Sequence, residues 1–167
     1  MRCFFLTLIP QNMYSKKIFF LLFTSLVFIS CSENSINDID TTENNTITQE
    51  VHKLINEHRS SIGKNTLTFN DQIAAVALEH TQYMIDENKI SHDNFDARFN
   101  EVTKLVNAVS FGENVASRQR TAQEVVTGWL NSPGHRENIE GDYTHTGIGI
   151  QKDANNNYYF TQLFYTK

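Results

Sequence analysis

The feature that most limits what this chain can fold into is an apolar run of twelve residues, 18–29. Lys16 and Lys17 precede the run, and Ser30 and Cys31 follow it. A short basic segment, a short apolar run and a small residue are typical of an export signal. The run is too short for a membrane-spanning helix, which needs about twenty apolar residues. We therefore predict a signal peptide over residues 1–30.

The residues around Cys31 indicate a lipid anchor. The block "VFISC" resembles a bacterial lipobox, in which the signal is cleaved before the cysteine and the cysteine is acylated; Phe28 stands where leucine is usual. This resemblance predicts a lipoprotein-type signal, lipidation at Cys31, and an exported protein that is either membrane-anchored or located in the cell envelope or outside the cell. Cys3 and Cys31 are the only cysteines, so the remaining chain has no disulfide and depends on its apolar core.

The charge of the chain excludes two kinds of partner. Three of the 14 basic residues and none of the 19 acidic residues precede Cys31, which leaves 11 basic against 19 acidic residues and a net charge of −8. Nucleic-acid binding requires clustered positive charge, and adsorption to anionic lipid requires basic residues. We expect no nucleic-acid partner, and we expect membrane attachment to depend on the lipid at Cys31.

The remaining chain divides into a tether and a single domain. Residues 31–47 are polar, acidic and poor in large side chains, so burial cannot repay the entropy lost on ordering them. We predict a disordered polar tether there. From Thr48 a helical pattern begins, and residues 48–167 are long enough for one domain.

Apolar spacing predicts helices first and strands last. After the first helix, which Gly63 should end, the strongest helical pattern begins at Asn70 or Asp71. Two strands, "HTGIGIQ" and "YYFTQLFYT", are predicted at the end of the chain, and a weaker one in "FGENVA". This order indicates an α+β fold. Two more helices are predicted, over residues 97–106 and 121–130.

Four titratable residues stand at the edges of these elements, beside small or turn-forming residues. They are His92, Glu113, Glu124 and His135. A divalent metal site uses imidazole nitrogens as ligands, and carboxylates either as ligands or to orient the imidazoles. The chain has no "HExxH", so the strong local signal of a metalloprotease is missing. His80 lies on the apolar stripe of its helix, which favours a hydrogen-bonded core histidine.

Several polar residues near these four have competing structural roles. Thr121 and Glu124 fit a capping box, so Glu124 is a helix cap, a cleft carboxylate or both. Ser132 and Pro133 fit the start of a helix, which we favour over a serine nucleophile because the chain has no "GxSxG". Gly134 is predicted to allow a close backbone approach at the cleft.

Four motifs in order resemble the CAP superfamily of cysteine-rich secretory proteins, antigen 5 and pathogenesis-related 1 proteins, and most closely its bacterial branch. They are "SHDNF", "FGENVA", "AQEVVTGWLNSPGHRENIEGDYTHTGIGI" and "YYFTQLF". The resemblance implies a three-layer α-β-α sandwich with a small antiparallel sheet between helices. It also implies an open cleft holding His92, Glu113, Glu124 and His135; in some relatives the two histidines bind Zn²⁺ or another divalent cation.

These expectations favour a binding module over an enzyme. We expect an exported, lipid-anchored, envelope-associated protein whose cleft binds a metal and an extracellular peptide, glycan or lipid. The alternative is a metal-dependent, protease-like hydrolase in which Glu113 or Glu124 activates water. Catalytic zinc normally takes three protein ligands, however, and the family has no agreed enzymatic activity.

Overall fold

This computed structural model describes residues 35–167, and it describes side chains from residue 42 onward. The described residues contain five helices and four strands. The predicted signal peptide and the lipidation of Cys31 lie outside the described residues. None of the five helices is long and apolar enough to cross a membrane. The helices are α1 (Ser35–Ser61), α2 (Asp71–Asp86), α3 (Phe95–Val106), α4 (Ala122–Asn131) and α5 (Pro133–Glu140). The strands are β1 (Thr68–Phe69), β2 (Ser110–Ser117), β3 (His145–Lys152) and β4 (Tyr158–Thr166).

The strands form one sheet in the order β1-β3-β4-β2. β4 pairs antiparallel with both β2 and β3, but β1 runs parallel to β3. Thr68 N donates to Thr144 O and Asn70 N donates to Thr146 O, each at 2.9 Å, which is the evenly spaced pattern of parallel pairing. The sheet is therefore antiparallel through β2, β4 and β3, as expected, and the two-residue β1 adds a parallel pair beside β3.

Helices cover both faces of the sheet, which confirms the α+β fold. One apolar core lies between the sheet and α1, α4 and α5, and it contains Trp129 and Phe160. A second core lies between the sheet and α2 and α3, and it contains Ile73 and Leu163. Adjacent β4 residues point to opposite faces, so β4 contributes to both cores.

The "GIGI" segment of β3 allows α2 to lie directly on the sheet. A Cβ added to Gly147 would lie 2.4 Å from Ala74 N, and one added to Gly149 would lie 2.2 Å from Leu78 N. Ile148 and Ile150 point to the opposite face and belong to the first core. The two glycines are thus required by the close packing of α2 backbone on strand backbone.

Helix α1 begins earlier than its composition predicts. Ile47 packs against the first core, and the Glu43 carboxylate accepts a 2.7 Å hydrogen bond from Lys152 Nζ on β3. The expectation of a disordered tether over residues 31–47 is therefore wrong from Ser35 onward, because this polar segment finds partners far away in the chain. Residues 31–34 lie outside the described part.

The buried cation Arg59 joins α1 to the end of α5 through carbonyl groups. Its Nε donates to Asn65 O at 2.8 Å, and its Nη1 donates to Ile139 O at 2.6 Å and to Gly141 O at 2.9 Å. Its Nη2 donates to Tyr143 O at 3.1 Å. These acceptors satisfy the guanidinium without a carboxylate.

Candidate functional site

The candidate site lies at the β2 edge of the sheet. His92 belongs to the segment between α2 and α3, Glu113 belongs to β2, and His135 lies in the first turn of α5. α2 and α3 pack on one face of the sheet, and α5 packs on the other. His92 and His135 therefore approach the edge strand from opposite faces.

His92 is held by a buried carboxylate. Its Nδ1 lies 2.7 Å from Glu113 Oε1, and the Glu113 side chain is 0% exposed while that of His92 is 52% exposed. A carboxylate at Nδ1 accepts a hydrogen bond from the proton held there, so in the neutral ring the lone pair lies on Nε2. No side chain or backbone group in residues 42–167 hydrogen-bonds to this Nε2.

Arg98, a residue of α3, holds Glu113 in place. Its Nε donates to Glu113 Oε2 at 2.6 Å, and its Nη2 donates to Glu113 Oε1 at 2.8 Å. Burial by itself would raise the pKa of Glu113, but hydrogen bonds from His92 and Arg98 outweigh it and bring that pKa below its usual range. Glu113 is therefore an ionised, fully engaged carboxylate at neutral pH.

His80 completes this cluster as a core histidine, as its place on the apolar stripe predicted. Its Nε2 donates to Ser91 O at 2.9 Å, and its Nδ1 accepts from Arg98 Nη1 at 2.9 Å. These partners assign the neutral Nε2–H tautomer. Burial lowers the pKa of His80, the Ser91 bond opposes this, and the charge of Arg98 lowers it further.

His135 is half-buried and neutral. Burial, and secondarily the charge of nearby His92, lowers its pKa. Its backbone carbonyl accepts from Asn114 Nδ2 at 3.0 Å, and Asn138 Nδ2 donates to Asn114 Oδ1 at 2.9 Å. The two asparagines thus hold the first turn of α5 against β2.

Side-chain donors also satisfy the outward carbonyls of β2. Tyr143 Oη donates to Phe111 O at 3.3 Å, Asn138 Nδ2 to Glu113 O at 3.0 Å, and Trp129 Nε1 to Val115 O at 3.1 Å. An edge strand with unpaired carbonyls is a template for another strand. Three of the outward carbonyls are thus already bonded, which leaves fewer backbone groups at this edge for another strand.

Glu124 forms a helix cap. Thr121 Oγ1 accepts from Glu124 N at 3.1 Å, and Glu124 Oε2 accepts from Arg120 N at 2.8 Å. Within residues 42–167 no hydrogen bond or ion pair joins Glu124 to His92, Glu113 or His135. Thr121 thus caps α4, but the Glu124 carboxylate bonds the amide of Arg120, one residue before the N-cap amide that a capping box would use. A cleft role for Glu124 stays a prediction.

The "SPGH" segment starts α5 as predicted, except at its glycine. Ser132 is the N-cap residue and Pro133 the first helical residue, although the Ser132 side chain makes no capping hydrogen bond. A Cβ on Gly134 would meet no atom within 4 Å. The expectation that Gly134 allows a close backbone approach is wrong, because the space beside it is open.

His92 and His135 are the residues of this site that could contribute ligands to a metal ion. No group of three or more His, Cys, Asp or Glu residues in the described part of the chain could hold a metal ion. His92 offers an Nε2 lone pair and a carboxylate on Nδ1, which is the arrangement that orients metal-binding imidazoles, and the lowered pKa keeps His135 unprotonated. A cation held by these two residues would need most of its ligands from water or from a bound molecule.

Arg98 is the functional residue that the sequence reasoning missed. It lies on the core-facing stripe of α3 together with Phe95, Phe99, Val102 and Val106. A cation at such a position is rarely buried unless it is paired. That spacing was a usable signal for a buried ion pair, although it does not identify the partner.

Residues 52–164 match the cysteine-rich secretory protein family, CAP. The match covers more than half of the chain, and the chain belongs to this family. Over 123 residues it is 31% identical to the protein YkwD of Bacillus subtilis, covering 71% of this chain and 47% of that protein.

Two solved structures share the fold. An extracellular protein containing an SCP domain from Bacillus anthracis aligns with a TM-score of 0.71 and 30% identity, over 81% of this chain and 45% of the other. An outer surface protein from Borrelia burgdorferi aligns with a TM-score of 0.67 and 27% identity, over 77% of this chain and 96% of the other. The chain therefore spans less than half of YkwD and of the Bacillus anthracis protein.

Proposed function

We propose that this protein is an exported binding module of the cell envelope, anchored by a lipid on Cys31. The export-type segment over residues 1–30 supports this location, and so do relatives that are an extracellular protein and an outer surface protein. With a net charge of −8 from Cys31 onward, the anchor rather than surface charge holds it at the membrane.

We further propose that His92 and His135 bind Zn²⁺ or another divalent cation at the β2 edge. The observation that carries this proposal is the arrangement around His92, whose Nδ1 lies 2.7 Å from the buried Glu113 carboxylate while Nε2 faces no described partner. With two protein ligands, the cation keeps positions for an oxygen or nitrogen atom of a peptide, glycan or lipid headgroup. The metal serves to hold that ligand.

A hydrolase is the weaker candidate because neither proposed base is available. Glu113 bonds to both Arg98 and His92, and Glu124 bonds to backbone at the start of α4. A general base must be able to take a proton from water. We expect a panel of protease and esterase substrates to stay uncleaved with and without Zn²⁺, and a rate that disappears in His92→Ala would restore the hydrolase.

Isothermal titration of the purified protein with ZnCl₂ tests the metal site. We expect one equivalent of Zn²⁺ to bind, and His92→Ala and His135→Ala each to lower the affinity by about tenfold or more, since each removes one of two ligands. His145→Ala, a histidine of β3 stacked on Tyr165, is the control that should bind normally. Equal affinities in all four proteins would refute a shared site.

Cys31→Ala tests the anchor separately. We expect this variant to lose incorporation of labelled fatty acid and to leave the membrane fraction. A variant that stays membrane-bound would contradict the lipid anchor while leaving the metal site untouched.

A further inference from the structure

The β3 edge of the sheet lies opposite the metal-site edge and has a different construction. β1 pairs with β3 only at His145 and Thr146, because the chain turns away at Asn70, the N-cap residue of α2. Within residues 35–167, no strand lies beside β3 on this side from Gly147 onward. β1 therefore stops where a longer strand would continue.

The backbone of Ile148 and Ile150 is unpaired on this side. Thr146 O accepts from Asn70 N at 2.9 Å toward β1, and backbone groups on one side of a strand recur every second residue. The N–H and C=O groups of Ile148 and Ile150 thus point away from β4, toward the side on which β1 lies. No described residue hydrogen-bonds to them on that side. Both residues are nevertheless nearly buried, at 3% and 4% exposure.

A groove of about 630 Å³ runs along this edge. Its floor is the β3 backbone from Ile148 to Gln151, and Phe69 of β1 lies at one end. α1 and α2 pack on opposite faces of the sheet, so the groove between them has the thickness of the sheet layer. Its walls carry amides from α1 and apolar side chains from α2: Asn44, Asn45, Gln49, Ala74, Ala75 and Leu78.

We propose that an extended peptide segment of a partner protein binds in this groove as a fifth strand, continuing β1 and pairing with Ile148 and Ile150. Alternating backbone donors and acceptors are complementary to another extended backbone. The exposed side-chain amides of Asn45 and Gln49 on the α1 wall offer further donors and acceptors. Asp71 is the one acidic residue of the lining, so the segment is uncharged or basic rather than acidic.

Two other occupants fit the groove less well. A lipid chain would leave the four polar backbone groups of the floor without partners. A second copy of this protein would have to bring its own β3 edge, which is equally recessed between its own α1 and α2. A single separate strand satisfies the backbone groups and enters between the helices.

Amide hydrogen exchange measured by NMR tests the premise. We expect the amides of Ile148 and Ile150 to exchange about tenfold or more faster than those of Gly147 and Gly149, which face β4. Heptapeptides selected from a random phage library on the purified protein then serve as the probe. A bound peptide should slow exchange at Ile148 and Ile150 by about tenfold or more.

Two variants and one altered peptide test the pairing. Ala75→Phe fills the groove from the exposed side of α2 and should weaken peptide binding by about tenfold or more; Ala97→Phe makes the same change at an exposed position on α3 and should not. N-methylation of alternate peptide residues should abolish binding without altering the protein. His92→Ala should leave peptide binding unchanged, which separates this site from the metal site.

The proposal is overturned if no selected peptide binds, if a peptide protects other amides, or if it binds Ala75→Phe as well as the wild type. It is equally overturned if palmitate protects Ile148 and Ile150 while selected peptides do not, which would assign the groove to lipid. Protection of these amides by concentration-dependent dimerisation alone would assign it to a second copy.

Discussion

The two edges of the sheet differ in how their backbone groups are satisfied. At the β2 edge, Trp129, Asn138 and Tyr143 donate to three outward carbonyls. At the β3 edge, Ile148 and Ile150 have no such donors. A protein that leaves a strand edge unpaired must blunt or cover it. Here side-chain donors satisfy one edge, and helices that stand above and below the groove flank the other.

The difference teaches what each edge can recognise. The β2 edge presents side chains, among them the half-exposed imidazole of His92, so recognition there depends on side-chain chemistry. The β3 edge presents backbone, which recognises another backbone through main-chain hydrogen bonds. Substitutions that affect one edge should therefore spare the recognition properties of the other.

Removing the Arg98 guanidinium should have the largest effect on the β2 edge. Arg98→Met leaves Glu113 buried without its bidentate partner, and we expect the free energy of unfolding to fall by about 3–5 kcal/mol in urea titrations. The double variant Arg98→Met/Glu113→Leu should recover much of this loss, because it removes the unpaired charge. A loss no larger than that of the exposed Lys89→Met, or a double variant worse than the single, would show that the pair is not the main support of this edge.

Adding a methyl group between β3 and α2 should cause the next largest loss of stability. Gly149→Ala places a Cβ against Leu78 N of α2, so we expect a loss of about 1–3 kcal/mol from overpacking, measured by thermal and urea unfolding. Gly134→Ala is the matched control, since its Cβ meets no atom within 4 Å and alanine favours a helix by up to about 1 kcal/mol. Equal effects in the two variants would contradict direct helix-on-strand packing.

Removing the Asn138 side chain of α5, which donates to a β2 carbonyl, should leave the β2 edge with an unpaired carbonyl like those of the β3 edge. Asn138→Ala deprives Glu113 O and Asn114 Oδ1 of a donor, and we expect a loss of about 1–2 kcal/mol together with faster amide exchange along β2. Exchange at Ile148 should not change. Asn131→Ala, on an exposed residue of α4, provides the control, and a matching loss there would argue against a special role for Asn138.

Acid should weaken the β2 edge in two steps. The pKa of His80 in the folded protein lies below its ordinary value of 6.5, so the unfolded chain takes up a proton first and stability falls as pH drops below about 6.5. The pKa of Glu113 in the folded protein lies below its ordinary value of 4.5. The free energy of unfolding therefore falls further as the pH drops below about 4.5. His80→Gln should flatten the first step in urea midpoints measured from pH 7 to 5. An unchanged slope would remove His80 as its source.

Local patterns were sufficient for the starts of α2, α4 and α5 and for the main strands. Asn70, Thr121 and Pro133 occupy the helix-start positions that their side chains favour, because capping depends on residues only a few positions apart. The alternation within β3 and β4 likewise shows in the sequence. Of the site, position at the edges of elements singled out His92, Glu113, Glu124 and His135, and the resemblance implied the same four.

Features that depend on distant partners could not be predicted in the same way. Glu43 stabilises the early part of α1 through Lys152, which is 109 residues away, and composition alone made that segment look disordered. β1 consists of two residues, too few to show a period. The partner of Arg98 becomes visible only when α3 lies against β2.

The Arg59 carbonyl cluster makes folding of this domain cooperative over most of its length. One acceptor of the guanidinium lies six residues away, but the others lie 80, 82 and 84 residues away. A chain that ends before Ile139 would have to bury the cation with one backbone acceptor, which is strongly unfavourable. Arg59 therefore gains its full set of acceptors only after the chain extends past Tyr143, and contacts so far apart in sequence are those that slow folding.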